Sequence, residues 1–301
     1  MISLIICSRS KSISPALQAN IELTIGLPYQ LVVIDNSANS YSIFEAYNIG
    51  VSKSTFPYLC FMHDDIAYHT QNWGQKVIDH FYNQQVGAIG IAGTPYAAAM
   101  PGSWWGGQMV NICLLKENPG DDPDIRKYPP TGAGTSEVVL LDGVWLCIRK
   151  SLFDKISFDA VNYKGYHFYD VDICMQIALA GYKIFCVFDI MIRHYTQGNN
   201  MNANWNDNAL IFNQKWKSVL PRSSVKLNYA ERCSAELKTL KEYIYNLIYN
   251  GHTNKVAHKI AIMRVLSFRK GYLYHGTPIQ LVKYLVKYFI GTSKRLHFGR
   301  R

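Results

Sequence analysis

Two aspartates stand side by side directly after an apolar segment of the chain. The segment Tyr58–Met62 predicts a buried strand, and His63, Asp64 and Asp65 follow it at once. In open α/β sheets the ligand crevice lies at the carboxyl ends of the strands, so we expect these carboxylates at such a crevice. Carboxylate oxygens suit a hard divalent cation, and such a cation suits a diphosphate. The alternative is a solvated turn, because Asp is common just after strands.

Two passages of the chain resemble a known family. The first combines Ala46–Val51 with Pro57–Asp65, and it resembles the A-x-N-x-G…G-x-Y-x-x-F-x-D-x-D passage of family-2-like GT-A glycosyltransferases. The second, Gly165–Gln176, resembles the family's G-x-x-x-x-E-D-x-D-L-x-x-R passage. The resemblance extends over about residues 1–198. It implies a transferase that uses a nucleotide-sugar donor.

The chain departs from the two family passages at three positions: His63 stands at the first Asp of D-x-D, Tyr169 at the Glu and Gln176 at the Arg. These departures leave open a second class of function, a catalytically silent glycan-binding or membrane-adaptor protein on the same fold. A sugar-phosphate nucleotidyltransferase shares this type of architecture. The sequence disfavours it, because no Gly-rich basic loop follows the first predicted strand.

The resemblance implies a site for a nucleotide-diphosphate sugar and a divalent cation, Mn²⁺ or Mg²⁺. Asp65 and His194 are the implied metal ligands, and the alternative for His194 is a surface or capping residue. Five candidate donor contacts follow predicted strands or lie in the matched passages: Ser8, Arg9, Asp35, Asn48 and Asp64. Two more, Asp142 and Gly143, interrupt the predicted strand over residues 137–148, at a place that the resemblance implies lines the sugar pocket. For Asp35 the alternative is an Asx-turn that closes its strand.

The implied reaction is an inverting, hexosyltransferase-type transfer to a hydroxyl of a glycan or lipid-linked acceptor. Inversion requires a base within hydrogen-bond reach of that hydroxyl, and Asp170 matches the family's base. Asp172 is a candidate acceptor contact, and its alternative role is that of an acid favoured at a helix N-terminus. Trp104 and Trp105 are also candidate acceptor contacts, because aromatic faces stack on sugar rings. They could instead anchor their loop.

Short apolar strands alternate with helical segments, which predicts an α/β fold with a mostly parallel, doubly wound sheet. The resemblance implies the same architecture, the Rossmann-like GT-A fold. Ser14 and Pro15 predict a helix start, and Gly181 predicts a helix end. Predicted strands cover residues 2–7, 30–34, 58–62, 86–91, 108–115, 137–148 and 182–188, with helices over residues 42–53 and 72–85. Residues 116–134, rich in Pro, Gly and Asp, predict a flexible loop at the mouth of the active site.

The composition is typical of a folded protein with a hydrophobic core. The chain has 301 residues and is 49% hydrophobic, which is enough for a substantial core. No apolar run reaches the roughly 18 residues of a spanning helix, and the N-terminus lacks the features of a signal peptide. The seven cysteines stand singly without a C-x-x-C, which favours reduced, buried thiols in a cytoplasmic protein.

Charge divides the chain into two predicted domains, a GT-A domain over residues 1–216 and a helical basic region over 217–301. The second holds 17 Lys and Arg against 3 Glu, a balance of +14, which leaves −4 for the first. An apolar stripe over residues 279–290 beside lysines predicts peripheral attachment to an anionic membrane on its cytoplasmic face. Packing of that stripe on the domain is the alternative. No nucleic-acid motif accompanies the charge, so nucleic acid is not an expected partner.

Overall fold

The structure, a computed structural model, describes residues 1–116, 124–127, 133–195 and 203–249. By compactness the chain divides into two units, residues 1–96 with 110–198 and residues 97–109 with 199–301. Residues 203–216, which the sequence assigns to the first domain, fall in the second unit. Among the described helices, none is long and apolar enough to cross a membrane.

The first unit contains most of the strands and four α-helices of the described chain. Its helices are α1 Pro15–Thr24, α2 Ile43–Lys53, α3 Trp73–Phe81 and α4 Tyr169–Leu179, with a 3₁₀ helix over Lys150–Asp154. Its strands are β1 Ile2–Ser8, β2 Tyr29–Asp35, β3 Tyr58–Met62, β4 Ile66–Tyr68, β5 Val86–Gly90, β6 Ala92–Thr94, β7 Tyr96–Ala97, β8 Asn111–Lys116, β9 Asp124–Lys127, β10 Thr135–Val138, β11 Leu140–Leu141, β12 Trp145–Arg149, β13 Lys183–Val187 and β14 Ile192–His194. Strand β7 lies at the boundary of the unit.

The larger sheet of this unit has seven strands in the order β10-β13-β5-β12-β3-β1-β2. Five of them run in one direction, and β12 and β10 run opposite to the rest. The predicted mostly parallel sheet is therefore confirmed. Helices α1 and α2 form the crossovers from β1 to β2 and from β2 to β3. Such crossovers bring the carboxyl ends of β1, β2 and β3 to one edge of the sheet.

The segment predicted as one interrupted strand, residues 137–148, forms three strands instead: β10, β11 and β12. Strand β12 runs antiparallel between β3 and β5, with Trp145 opposite Met62. This register brings the turn before β12 beside His63, whose N–H donates to the Val144 carbonyl at 3.0 Å. The turn at Asp142 and Gly143 thus lies next to the end of β3.

A smaller sheet has the order β11-β6-β8-β14-β4, and β9 pairs with β8. Strand β9 falls within residues 116–134, where the sequence predicted only a loop. That prediction was wrong for residues 124–127, and the parts at 117–123 and 128–132 lie outside the described residues. Strand β4 follows β3 after a turn of three residues, and β14 pairs with β4 so that His194 lies opposite Ile66.

The predicted helix starts are confirmed by their capping contacts. The Ser14 hydroxyl accepts from the Leu17 N–H at 3.1 Å. Ser42 and Glu45 form a reciprocal capping box at the start of α2. Helix α3 ends at Phe81, before the predicted end at residue 85, and Gly181 follows α4 at a φ of +88°.

The core below the strand ends is aromatic. The Tyr68 and Trp73 rings stack with centroids 4.0 Å apart, and the indole N–H of Trp145 donates to the Tyr68 hydroxyl at 2.9 Å. Trp73 and Phe81 of α3 are buried in this core. The seven cysteines are free, and all except the half-buried Cys7 are buried. The prediction of buried, reduced thiols is therefore confirmed for six of them.

The second unit contains α5 Ala203–Lys215, β15 Arg222–Ser223 and α6 Tyr229–Tyr249 among its described residues. Helix α6 lies within the region over residues 217–301 that the sequence predicts to be helical. Buried Glu236 joins α6 to the segment at 97–109, because its carboxylate accepts from the N–H groups of Ala99 and Met100 at 2.8 and 2.9 Å. The predicted membrane stripe at 279–290 lies outside the described residues, as do the other residues after 249.

Candidate metal and catalytic site

Three residues link β3 to β4, and they carry the first part of the site. The backbone of this turn is tied at both ends, because His63 donates its N–H to Val144 and the Asp65 carbonyl accepts from the Tyr195 N–H at 2.9 Å. The turn therefore connects the larger sheet to the smaller one at the edge where the strands end. Both carboxylates predicted from the sequence lie in it.

His194 joins this turn although 131 residues separate it from His63. The His194 Nε2 atom lies 3.3 Å from Asp65 Oδ1 and 3.4 Å from His63 Nδ1, and the latter two atoms are 3.7 Å apart. The three side chains are between 24% and 38% exposed, so an ion could reach them. The structure therefore groups His63, Asp65 and His194 as residues that could hold a metal ion.

The electrostatics of His63 suit a metal ligand. Burial lowers the pKa of His63, and the electrostatic effect of neighbouring His194 lowers it further, against an upward effect from nearby aspartates. A depressed pKa keeps the imidazole neutral, which is the form that binds a metal. The sequence alone did not single out His63 as a ligand, because it stands where the family has Asp.

Gly143 connects the turn before β12 with the start of α4. Its N–H donates to Asp170 Oδ2 at 2.8 Å, and its carbonyl accepts from the Tyr169 hydroxyl at 2.9 Å. A side chain is excluded here, because a Cβ on Gly143 would overlap the Tyr169 hydroxyl. Helix α4 begins after Phe168, whose φ of +73° turns the chain into the helix.

Asp170 has the electrostatics of a base that works near neutral pH. Burial raises the pKa of Asp170, and the negative charge of Asp142 raises it further, to about 7. The N–H groups of Val171 and Gly143 oppose this rise by donating to the carboxylate. The side chain is half-buried and not closed off from solvent. Its predicted role as the base stays a prediction.

Four candidate donor contacts lie at the ends of β1, β2 and β3. The Ser8 hydroxyl donates to Asp64 Oδ2 at 2.7 Å, which joins the ends of β1 and β3. In the register of the parallel pair, Asp35 lies beside Ser8, and its carboxylate accepts from the Ser37 N–H at 2.9 Å. Arg9 follows β1 as an exposed residue. The sheet thus brings Ser8, Asp64 and Asp35 to one edge.

Two other predicted site residues have both polar side-chain atoms engaged within the fold. The Asn48 amide donates to the Phe158 carbonyl at 2.8 Å and accepts from the Phe158 N–H at 3.1 Å. Asp172, 1% exposed, accepts from the Tyr163 hydroxyl at 3.0 Å and from Gln176 at 2.8 Å. A donor or an acceptor could reach them only if these contacts opened.

The two tryptophans predicted as an acceptor platform lie in the second unit. Trp104 is buried and Trp105 is 37% exposed, and their rings meet edge to face with centroids 5.4 Å apart. The neighbouring Ser103 donates its hydroxyl to Glu242 of α6 at 2.6 Å. These contacts hold the loop to α6, which is the anchoring alternative. The acceptor contact stays a prediction.

Comparison with solved structures gives the fold. The chain is similar to GalNAc-T7, solved with UDP, GalNAc and Mn²⁺, at 11% identity over 72% of this chain and 49% of that chain, with a TM-score of 0.50. It therefore spans about half the length of that chain. A likeness to the mannosyltransferase PcManGT of Pyrobaculum calidifontis, in complex with GDP-Man and Mn²⁺, has a TM-score of 0.46 at 9% identity over 100% and 88% of the two chains. At 11% identity, the likeness to GalNAc-T7 establishes the fold and nothing more.

Sequence comparison gives the family. A search of curated proteins found no significant match. The family described as "Glycosyltransferase like family" matches residues 3–216, which is more than half of the chain. The match includes both resembling passages and His194. The chain therefore belongs to this glycosyltransferase-like, family-2-like group and has the GT-A fold that the resemblance implied.

Proposed function

We propose that this protein transfers a sugar from a nucleotide-diphosphate donor to a hydroxyl of a glycan or lipid-linked acceptor, as an inverting, hexosyltransferase-type enzyme. One observation carries the proposal. The His63, Asp65 and His194 group lies at the edge where the strands end, and the Gly143 turn beside His63 holds Asp170 by a 2.8 Å hydrogen bond. A cation site and a base would thus stand on neighbouring parts of one site.

The ligand group fits a divalent cation. It offers two imidazole nitrogens and one carboxylate oxygen, and Mn²⁺ accompanies the nucleotide or sugar nucleotide in both glycosyltransferase structures compared above. When bound, Mn²⁺ or Mg²⁺ would neutralise the charge that develops on the leaving diphosphate. Ser8, Asp64 and Asp35 stand at the same edge of the sheet and are the nearest candidates for donor contacts.

Asp170 is the proposed base. Its carboxylate would take the proton of the acceptor hydroxyl while the acceptor oxygen bonds to the anomeric carbon and the bond to the diphosphate breaks. Gly143 would orient the carboxylate through its N–H, and the raised pKa would make Asp170 a stronger base than an exposed aspartate. We expect Asp170→Asn to lower turnover by about a hundred- to ten-thousand-fold and leave donor affinity nearly unchanged.

The proposed setting is the cytoplasmic face of a membrane, where polysaccharide biosynthesis would present a lipid-linked acceptor. The support is the charge balance of +14 over residues 217–301 and the apolar stripe beside its lysines. Basic residues near an anionic lipid surface are attracted to it.

A donor screen tests the proposal. We expect one or more of the UDP-, GDP- and dTDP-sugars to raise the melting temperature in the presence of Mn²⁺ or Mg²⁺, because a ligand that binds the native state stabilises it. Asp65→Ala should abolish the part of this rise in melting temperature that depends on the metal. Asp79 is an exposed aspartate of α3, and Asp79→Asn should leave the rise unchanged.

Three results would contradict the proposal in different ways. If donor affinity is the same with and without metal, in both wild type and Asp65→Ala, the proposed cation site is wrong. Donor binding without any hydrolysis or transfer would favour the silent adaptor. Release of pyrophosphate from a sugar phosphate and a nucleoside triphosphate would identify a nucleotidyltransferase.

A further inference from the structure

Two departures from the family pattern contact each other. His63 stands at the first Asp of D-x-D and Tyr169 at the Glu of the second passage, 106 residues later. In the structure the Tyr169 hydroxyl lies 3.3 Å from His63 Nε2. The two replacements therefore form one unit on the candidate cation site.

The hydrogen bonds of Tyr169 determine which nitrogen of His63 carries the proton. The Tyr169 hydroxyl donates its single hydrogen to the Gly143 carbonyl at 2.9 Å. Its oxygen can therefore only accept from the imidazole, so His63 Nε2 donates and Nδ1 keeps its lone pair. That Nδ1 atom is the one that faces Asp65 and His194.

The spacing of the three candidate ligand atoms fits one ion. His63 Nδ1, His194 Nε2 and Asp65 Oδ1 are separated by 3.3, 3.4 and 3.7 Å. Three points with these separations are all about 2.0 Å from a common centre, which is close to the bond lengths of imidazole and carboxylate ligands to Zn²⁺. A cation at this centre would replace the contacts that the three atoms make with one another and would take all three as ligands.

We propose that Tyr169 holds His63 as a nitrogen ligand, and that the resulting two-imidazole, one-carboxylate site selects Co²⁺ and Mn²⁺ over Mg²⁺. This inference rests on the proposed function, since it concerns the same cation site. Mg²⁺ prefers oxygen ligands and keeps several waters, so two imidazoles disfavour it. Affinity for a site with nitrogen ligands rises from Mn²⁺ to Co²⁺ along the first-row series, so Co²⁺ should bind most tightly of the three ions. Tyr169 is here a positioning residue, because it acts through the ring that it orients.

Metal titration of the full chain by calorimetry tests the selectivity. We expect wild type to bind Co²⁺ and Mn²⁺ at least about tenfold more tightly than Mg²⁺. In His63→Asp, which restores the family's residue, the ratio should fall by about tenfold or more. In Tyr169→Phe the affinity for Co²⁺ should fall by about tenfold while that for Mg²⁺ stays the same, since loss of the imidazole orientation affects only ions that use it.

Electron spin-echo spectroscopy of the Mn²⁺ complex tests the ligand set without reference to activity. Wild type should show nitrogen coupling from two imidazoles and His63→Asp from one. A matched control is His80→Gln. His80 also faces a carboxylate, with Nε2 2.9 Å from Asp189 Oδ1, but it lies outside the group, so neither the coupling nor the selectivity should change.

The outcomes separate this inference from the proposed function. One imidazole coupling in wild type, or an unchanged Co²⁺ to Mg²⁺ ratio in His63→Asp, would overturn the inference even if nucleotide sugars bind. Equal loss of both metals in Tyr169→Phe would reduce Tyr169 to a structural residue and would equally overturn it. Two imidazole couplings in wild type, together with no nucleotide-sugar binding, would support the metal site and reject the transferase function.

Circular dichroism melts of each variant identify any variant that fails to fold. If Tyr169→Phe fails to fold, His63→Asp tests the inference alone, because the His63 side chain is partly exposed and its replacement should be tolerated.

Discussion

The Gly143 N–H donates to Asp170 Oδ2 at 2.8 Å, so the turn before β12 holds the first turn of helix α4. The Gly143 carbonyl accepts from the neighbouring Tyr169 hydroxyl at 2.9 Å, which makes the attachment two-sided. Both contacts come from the backbone of one residue. The orientation of the proposed base therefore depends on a position without a side chain.

Gly143→Ala tests this dependence. The added Cβ would overlap the Tyr169 hydroxyl, so the turn and the start of α4 must move apart. We expect a loss of about 1–3 kcal/mol in the free energy of unfolding, as for other overpacked sites. Turnover should fall together with stability, because Asp170 loses its fixed N–H donor. Urea unfolding and steady-state kinetics measure the two effects.

Gly134→Ala is the matched control, because a Cβ at this exposed glycine would meet no atom within 4 Å. We expect wild-type stability and turnover from it. If Gly143→Ala behaves in the same way, the turn is more adaptable than its contacts indicate, and the orientation of Asp170 has another source.

Local features of the fold could be predicted from the sequence because their causes are local. Ser14 with Pro15, and Ser42 with Glu45, are helix starts that need only neighbouring residues. The apolar run Tyr58–Met62 could only be a buried strand, and the polar residues after it had to lie at its end. That placement favours a cation site, and the choice of Asp65 within it comes from its match to the last Asp of D-x-D.

Long-range features could not be predicted in this way. The insertion of β12 antiparallel between β3 and β5 depends on strand pairing, which no local pattern in residues 137–148 specifies. The same holds for His63, whose partners are 106 and 131 residues away in sequence. In the sequence, His63 at the first Asp position of D-x-D reads as the loss of a metal ligand. Only the contact of His63 with Tyr169 in the structure indicates that it could serve as a ligand itself.

The pH dependence of turnover provides a test of Asp170. Burial and the charge of Asp142 raise the pKa of Asp170 to about 7, and a base works only when deprotonated. Turnover at saturating donor should therefore fall as pH drops through about 7. Asp142→Asn removes the repulsive charge, so the pKa should decrease and the acidic limb should move to lower pH. An acidic limb at the same pH in wild type and variant would show that another group titrates.

Asp172 should contribute to the stability of the fold, whereas Asp170 should contribute to turnover. Both Asp172 oxygens accept, one from Tyr163 and the other from Gln176, whose own amide is fixed by Ser157. Asp172→Asn turns one acceptor into a donor, which leaves a buried group without a partner at a cost of about 1–3 kcal/mol. We expect lower stability by urea unfolding with turnover retained below the transition. Strong loss of turnover at wild-type stability would assign Asp172 to the chemistry.

The basic region after residue 216 should bind anionic membranes. The stripe at 279–290 can bury apolar area at the headgroup boundary, and each nearby lysine adds on the order of 1 kcal/mol at an anionic surface. Sedimentation with anionic vesicles should capture the protein, less so as salt rises, and neutral vesicles should not. Replacing Lys283 and Lys287 by Gln should weaken capture and leave the melting temperature unchanged. If the chain ignores anionic vesicles, and deletion of the residues after Gly276 lowers the melting temperature, the stripe packs on the protein and the membrane proposal is wrong.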